Sequence, residues 1–406
     1  MITKHLTGHI FRAPSWFNAV RYSRRGSVRR QTRARRMTAA TLSCPAEVLE
    51  ARILPAAFID LGPGEGLAVS DDGTTVVGNG PGAFRWTAEA GMVNPGFHFA
   101  FDVSASGSVI AGSHAGEAIR WTPETGVVGL GDLPGGSFSS RAEGVSADGS
   151  VLVGYGTTTD SREAFRWSTD SGMVGLGFLP GGAFSWATAV SADGAVVSGF
   201  SGNGTGDEAF RWTAETGMVG LGDLPGSAFA SRALGQSADG STIVGFSRSE
   251  AGPFGEAFRW TAGTGMAGLG FLPGGDFSEA WAASGDGSLV GGYSNTDDGR
   301  APFLWDMNHG MRRLSDVLTT DYGIDLSAWQ PGLAFGNVID ISADGRFLTG
   351  YAYTADWELR AWLAELDAPA PPPEVPVDVI VEISTTQEFL DSLIAIEGSL
   401  IMIDVD

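Results

Sequence analysis

Short apolar runs alternate with polar turns through most of this chain, and residues 142–179 show the unit. Ala142–Ser146 is a brief run ahead of Ala147-Asp148-Gly149, and Asp-Gly between apolar runs is a strong hairpin signal because both turn positions accept positive φ. Ser150–Gly154 reads as a second strand, and a polar loop from Thr157 to Arg162 follows. Ala164–Trp167 reads as a third strand, with Phe165 and Trp167 on one face by the period of two. Asp170-Ser171-Gly172 is a turn, Met173–Leu179 a fourth strand, and Pro180-Gly181-Gly182 ends it. Four short antiparallel strands in about 45 residues make the blade of a β-propeller. Helical repeats would need a 3.6-residue period, which is absent.

The unit recurs. Anchor tryptophans stand at Trp86, Trp121, Trp167, Trp212, Trp260, Trp305 and, in a degenerate copy, Trp362, spaced 35, 46, 45, 48, 45 and 57 residues apart. Turn glycines give the same count: Gly73, Gly107, Gly149, Gly194, Gly240, Gly287 and Gly345. A fixed period in this range means a solenoid or a propeller. A closure test favours the propeller. No fourth-strand motif follows Trp362, where the chain enters Asp367-Ala-Pro-Ala-Pro-Pro-Pro, yet a spare copy, Phe58–Gly62, precedes the first repeat. The expected fold is all-β, a seven-bladed propeller over 57–366 whose last blade takes its outer strand from the N-terminal side, removing exposed edges.

First strands of a propeller usually lie nearest the axis. The position two before each turn serine is small in five blades (Ala68, Gly144, Ala189, Gly235, Ala282), which suits close strand approach. Asp102 and Asp340 break that rule.

Charge divides the chain sharply. Residues 1–37 hold ten Lys and Arg and no acid; residues 38–406 hold 15 basic and 47 acidic residues. Such a body repels nucleic acid and anionic membranes. No apolar run approaches a membrane span. One cysteine, Cys44, excludes an internal disulfide framework and cysteine metal clusters. Residues 1–56 read as a basic, disordered leader. Within it, Leu49, Glu50, Arg52 and Leu54 resemble the Leu-Glu-x-Arg-x-Leu-Leu-Ser-Ala export motif of bacterial surface and secreted proteins, with Pro55 departing from it. Leu42-Ser43-Cys44 lacks the apolar run of a lipoprotein site. Residues 367–377 read as a Pro-rich linker, and 378–406 as a short tail with strands at 379–383 and 400–405 and a helix at 387–396.

The repeats resemble the HAF-repeat family of bacterial extracellular proteins. The resemblance rests on Ala-Phe-Arg-Trp (164–167, 209–212, 257–260), Gly-Met-Val-Gly-Leu-Gly (172–177, 217–222) and Val-Ser-Ala-Asp-Gly (145–149, 190–194), and it spans 58–366. It implies secretion or display at the cell surface and transfers no catalytic residue.

Recognisable catalytic chemistry is scarce. Five histidines (His5, His9, His98, His114, His309) occupy no repeated position, and no P-loop, nucleophile elbow or His-Glu-x-x-His is present. Asp148, Asp193, Asp239, Asp286 and Asp344 would serve either as a calcium ring or as hairpin turn formers, and their repetition favours turns. Arg85, Arg120, Arg166, Arg211 and Arg259 would either line an anion surface or pair with carboxylates such as Glu163 and Glu208. Phe138, Phe184, Phe229 and Phe277 follow each Leu-Pro-Gly and would form a stacking rim or plug the gaps between blades. Asp102 and Asp340 are the one candidate catalytic pair, as acid and base of a glycosidase or lyase, or else channel carboxylates. Loops between second and third strands vary from 80–82 to 247–255, where specificity normally resides. The expectation is a monomeric, non-catalytic binding or structural module without cofactor, extracellular or on the cell surface, whose partner is a protein or glycan; the alternative is a carbohydrate-active propeller.

Overall fold

The computed structural model describes residues 57–366 apart from 160, 227–228 and 253. The leader, export motif, linker and tail lie outside the described residues. Within them, seven four-stranded antiparallel sheets form the seven-bladed β-propeller, each sheet ordered by chain sequence except the last. Blade three runs Gly135–Val145, Val151–Thr158, Arg162–Ser168 and Gly172–Gly175. Its fourth strand ends four residues earlier than the apolar run suggests. Gly177 takes a φ of 78°, which bends the chain so that Leu176 and Leu179 turn into the core instead of extending the sheet.

Blade seven closes as the spare motif requires. Ala57–Pro63 pairs antiparallel with Leu359–Glu365, setting Phe58 opposite Ala364 and Asp60 opposite Trp362. The Phe58 ring stacks on the fully buried Trp362 and meets Trp329 edge-on, each with centroids 5.2 Å apart. Arg360 adds an ion pair to Asp60 at 2.8 Å. The long final spacing of the repeat is taken up by an insertion between blades six and seven. It contains a helical turn at Leu314–Asp316, a wider turn at Val317–Asp321 and a short 3-10 turn at Pro331–Leu333, and it buries Leu314, Leu318, Trp329 and Leu333 around Trp362.

The core lies between blades. One cluster joins Val151, Val153 and Ala164 of blade three to Ala187, Val197 and Phe210 of blade four. Phe165, Phe210, Phe258 and Phe303 have no exposed surface, while the neighbouring tryptophans are half-buried. The arginine between them corrects the sequence expectation. Arg120, Arg166, Arg211 and Arg259 do not pair with the glutamates; each Nε donates to the carbonyl of the next blade's turn glycine (Gly149, Gly194, Gly240, Gly287) at 3.0–3.3 Å. Glu163, Glu208 and Glu256 instead accept the N–H of Gly177, Gly222 and Gly270 in their own blades.

Six of the seven turns are built alike; blade two has Ser106 in place of the aspartate, bonded to the Ser108 hydroxyl. The Ser146 hydroxyl donates to Asp148 at 2.7 Å and accepts the Val151 N–H, while Asp148 also accepts the Ser150 N–H. Hydrogen bonds hold Asp148, Asp193, Asp239 and Asp286 below the usual carboxylate range. These aspartates thus act as turn formers, in keeping with the hairpin reading. Turn glycines need their positive φ, and a Cβ at Gly149 would also strike Val109 of the preceding blade. From turn to turn runs a chain of backbone bonds: Asp71 N–H to Ala105, Ala105 to Ala147, Ala147 to Ala192, Ala192 to Ala238, Ala238 to Gly285 and Gly285 to Ala343, all 2.7–3.1 Å. The Ala343 N–H closes the circle on the Asp71 carboxylate at 3.2 Å.

Closure by the N-terminal strand is directly testable. Phe58→Ala removes a half-buried aromatic from the Trp362 stack and should cost about 2–3 kcal/mol, somewhat below the range for a fully buried ring. Urea unfolding followed by tryptophan fluorescence would measure it; an unchanged midpoint would contradict the contribution of this strand to closure.

Candidate ligand-binding site

Antiparallel order puts two ends on the ring. The Ser-x-Asp-Gly turns lie at one end. The loops between second and third strands and the crossings between blades lie at the other. The axial cavity holds about 510 Å³. Leu67, Phe101, Glu143, Thr188, Leu234, Trp281 and Ile339 line it, one from the first strand of each blade, each the unpaired residue of a β-bulge.

Asp102 and Asp340 also line this cavity, each at the bulge of its strand. Their carboxylates are spoken for. Asp102 accepts the N–H of Val145 in the next blade at 2.7 Å and that of Val103 at 2.7 Å. Asp340 accepts from Val69 of blade one at 2.9 Å and from Ile341 at 2.8 Å. Each aspartate therefore bridges two blades. Burial outweighs these bonds and raises Asp102 to about 6; burial, reinforced by the Asp102 charge, raises Asp340 to about 8.

The four rim phenylalanines do not form one ring. Phe138 is 61% exposed. Phe277 lies between Phe246 and Tyr293 and so fills the gap between blades five and six, whereas Phe184 packs edge-on against Phe200 of its own blade. No ring contact involving Phe229 is observed among the described residues; Phe229 is half-buried at its crossing.

The more informative residues are one rung of the ladder between first and second strands, which sequence reading passed over. Its seven pairs are Glu65–Asn79, Phe99–Ser113, Arg141–Tyr155, Trp186–Phe200, Arg232–Phe246, Glu279–Tyr293 and Asn337–Tyr351. The adjacent rung sets Gly, Ala or Val opposite a glycine in every blade, so chemistry changes abruptly at one level. A signal existed: the residue after the second-strand glycine is aromatic in five consecutive copies, Tyr155, Phe200, Phe246, Tyr293 and Tyr351.

These side chains interlock across blades three to seven. Tyr155 meets Trp186 at 4.1 Å, and Trp186 stacks on Phe200 at 5.9 Å. The Arg232 guanidinium lies 4.7 Å above Phe200. Phe277 stacks on Tyr293 at 5.6 Å, and Arg300 sits 3.7 Å above Tyr293. At blades one and two the arc stops. There Asn79 exchanges two 2.9 Å bonds with the backbone of Ala100. Between aromatics sit buried carboxyls. Burial pushes Glu143 up to about 7 against the opposing pull of Arg141 and the Trp186 N–H, and burial likewise raises Glu65 and Glu279. The arrangement presents aromatic faces and guanidinium forks at one level with buried carboxyls beside them, the donor set of a recognition surface. Among the described residues no group of three His, Cys, Asp or Glu is placed to hold a metal, and no helix is long and apolar enough to cross a membrane.

No protein-family model matches the sequence, and no curated protein matches it. Solved structures do. An oligogalacturonate lyase in complex with manganese superposes with a TM-score of 0.51 at 12% identity, over 77% of this chain and 97% of that one. An oligogalacturonate lyase from Vibrio parahaemolyticus gives 0.49 at 9% identity, over 77% and 98%. TolB from Acinetobacter baumannii gives 0.42 at 13%, over 63% of each chain. At these identities the likeness is one of fold.

The buried axial carboxyl predicts an unusual pH dependence. Asp340 is raised, so between about pH 4 and 8 the unfolded chain has lost a proton that the folded chain keeps. Stability from this group is complete at the acid end of the window and is lost as pH rises towards 8. Turn aspartates act oppositely below about pH 4, outside the window. Melting curves at pH 5 to 8 should fall by a few degrees, and Asp340→Asn should flatten the fall. Equal slopes in both proteins would refute the assignment.

Proposed function

We propose that this propeller is a non-catalytic binding module, exported to the cell surface or beyond, that reads a protein or glycan at its loop end. The observation that carries the reading is the rung of seven cross-strand pairs, where shared repeat chemistry gives way to blade-specific aromatic, basic and acidic side chains. Specificity in a repeat scaffold is read by what differs between copies. The backbone N–H group held by each oxygen of Asp102 and Asp340, which ties both side chains into braces between blades, favours binding over the alternative, a carbohydrate-active enzyme working through axial carboxylates. For export, support comes from the arginine-rich leader, the Leu-Glu-x-Arg-x-Leu resemblance and the HAF-like repeats.

Two measurements test this. A glycan and protein binding screen of the full chain should yield a ligand whose binding falls at least tenfold when the loop-end residues Arg232 and Arg300 are both replaced by alanine. It should be untouched by changes at the turn end such as Ser150→Ala. The opposite dependence would place recognition at the wrong end. Cell fractionation should find the protein outside the cytosol; exclusive cytosolic recovery would sink the export claim.

A further inference from the structure

We infer that the loop end holds a subsite for a carboxylate-bearing sugar, a hexuronic acid unit of an acidic glycan, between blades three, four and five. The inference rests on the loop-end binding reading and narrows it to one place and one ligand chemistry. A pocket of about 380 Å³, room for one or two sugar rings, is lined by Ser161, Arg162, Phe184, Trp186, Phe200 and Arg232. Its sign is the first argument. Residues 38–406 hold 47 acids against 15 basic residues, yet among the described residues this pocket's lining has two arginines and no carboxylate, and with Arg232 paired to Asp207 the excess positive charge is that of Arg162. A local reversal in so acidic a protein selects an anion.

Geometry supplies the rest. Trp186 and Phe200 are inclined by only 22° with centroids 5.9 Å apart, an offset stack that is half-buried and whose uncovered surface gives the pocket an aromatic platform for the apolar face of a pyranose ring. Phe184 stands edge-on to Phe200 as a side wall. Each guanidinium lies over an aromatic ring: Arg162 5.0 Å from Tyr155 and 5.4 Å from Trp186, Arg232 4.7 Å from Phe200. Arg232 is paired with Asp207 through both Nε, at 2.7 Å, and Nη2, which holds its guanidinium over Phe200 and offsets its charge. Arg162 is exposed and makes no ion pair among the described residues, so its fork is free for a bidentate carboxylate contact. A neutral sugar would use the platform and leave the Arg162 fork unmatched.

Titration calorimetry on the full chain with a hexuronic acid oligosaccharide and its carboxyl-reduced, neutral counterpart decides the matter. The acidic oligomer should bind at least tenfold more tightly, with a preference that shrinks as salt rises. Arg162→Ala, at an exposed position, should remove most of that preference for the acidic over the neutral oligomer. Trp186→Phe should weaken both. Equal affinity for the two oligomers, no binding of the acidic one, or indifference to Arg162→Ala would each overturn the subsite. If the acidic oligomer fails while another ligand still depends on Arg300 or other loop-end residues, the subsite falls and the loop-end reading stands. If no ligand depends on any loop-end residue, both fall.

Discussion

The chain of backbone hydrogen bonds that passes from turn to turn around the axis is the constraint on which this molecule depends. Each turn between first and second strands gives one N–H to the next blade's turn, from Asp71 through Ala105, Ala147, Ala192, Ala238 and Gly285 to Ala343. One such bond is worth only about 1 kcal/mol net. The set is stronger than that figure implies, because it fixes the angular step between blades. Everything outward depends on that step. Arginine of the third strand reaches the next blade's turn carbonyl, and a Cβ on a turn glycine would strike the preceding blade. The buried phenylalanines fill the wedge that remains.

A ring built on identical steps must absorb its irregularities somewhere, and several meet at the seam between blades seven and one. There the outer strand comes from the other end of the chain, and the last bond of the circle goes to the Asp71 side chain instead of a backbone carbonyl. Asp340 spans the same seam by accepting the Val69 N–H. The aspartates that look anomalous against the repeat are therefore braces. A small residue cannot reach across to the neighbouring strand; a carboxylate can, at the cost of being desolvated, which the raised pKa of Asp340 records.

Architecture was highly legible from sequence, since strand count, ring closure and the axial place of the first strands all follow from repetition. Trp362 and the spare Phe58–Gly62 motif carried the closure, and they now sit stacked on one another. Partner choice was less legible. Glu163 seemed the natural mate for Arg166 because it is near in sequence, yet in a strand the two are separated by three residues and so lie on opposite faces. The insertion at 314–335 left only a long spacing as its trace, because its turns are stabilised by packing on Trp362 and carry no periodic signal of their own. The recognition rung was written in the sequence as the residue after each second-strand glycine. It gained meaning only when cross-strand register set Trp186 beside Phe200 and Arg232 beside Phe246.

That register explains why binding chemistry would settle at this level of the ring. At the glycine rung a Cβ would run into the facing strand: at Gly154 it would meet the Arg141 carbonyl, and at Gly199 that of Trp186. Packing there forbids variation. One rung further towards the loops the strands still hold their side chains rigidly, but the interior no longer dictates size or charge. A residue at this rung is positioned by the sheet and freed from the core. Loops offer the second property without the first. Rigid aromatic and arginine groups also lose little conformational entropy when a ligand arrives, so affinity can come from few contacts. The arc from Tyr155 to Tyr351 occupies the one level of the propeller where both conditions hold.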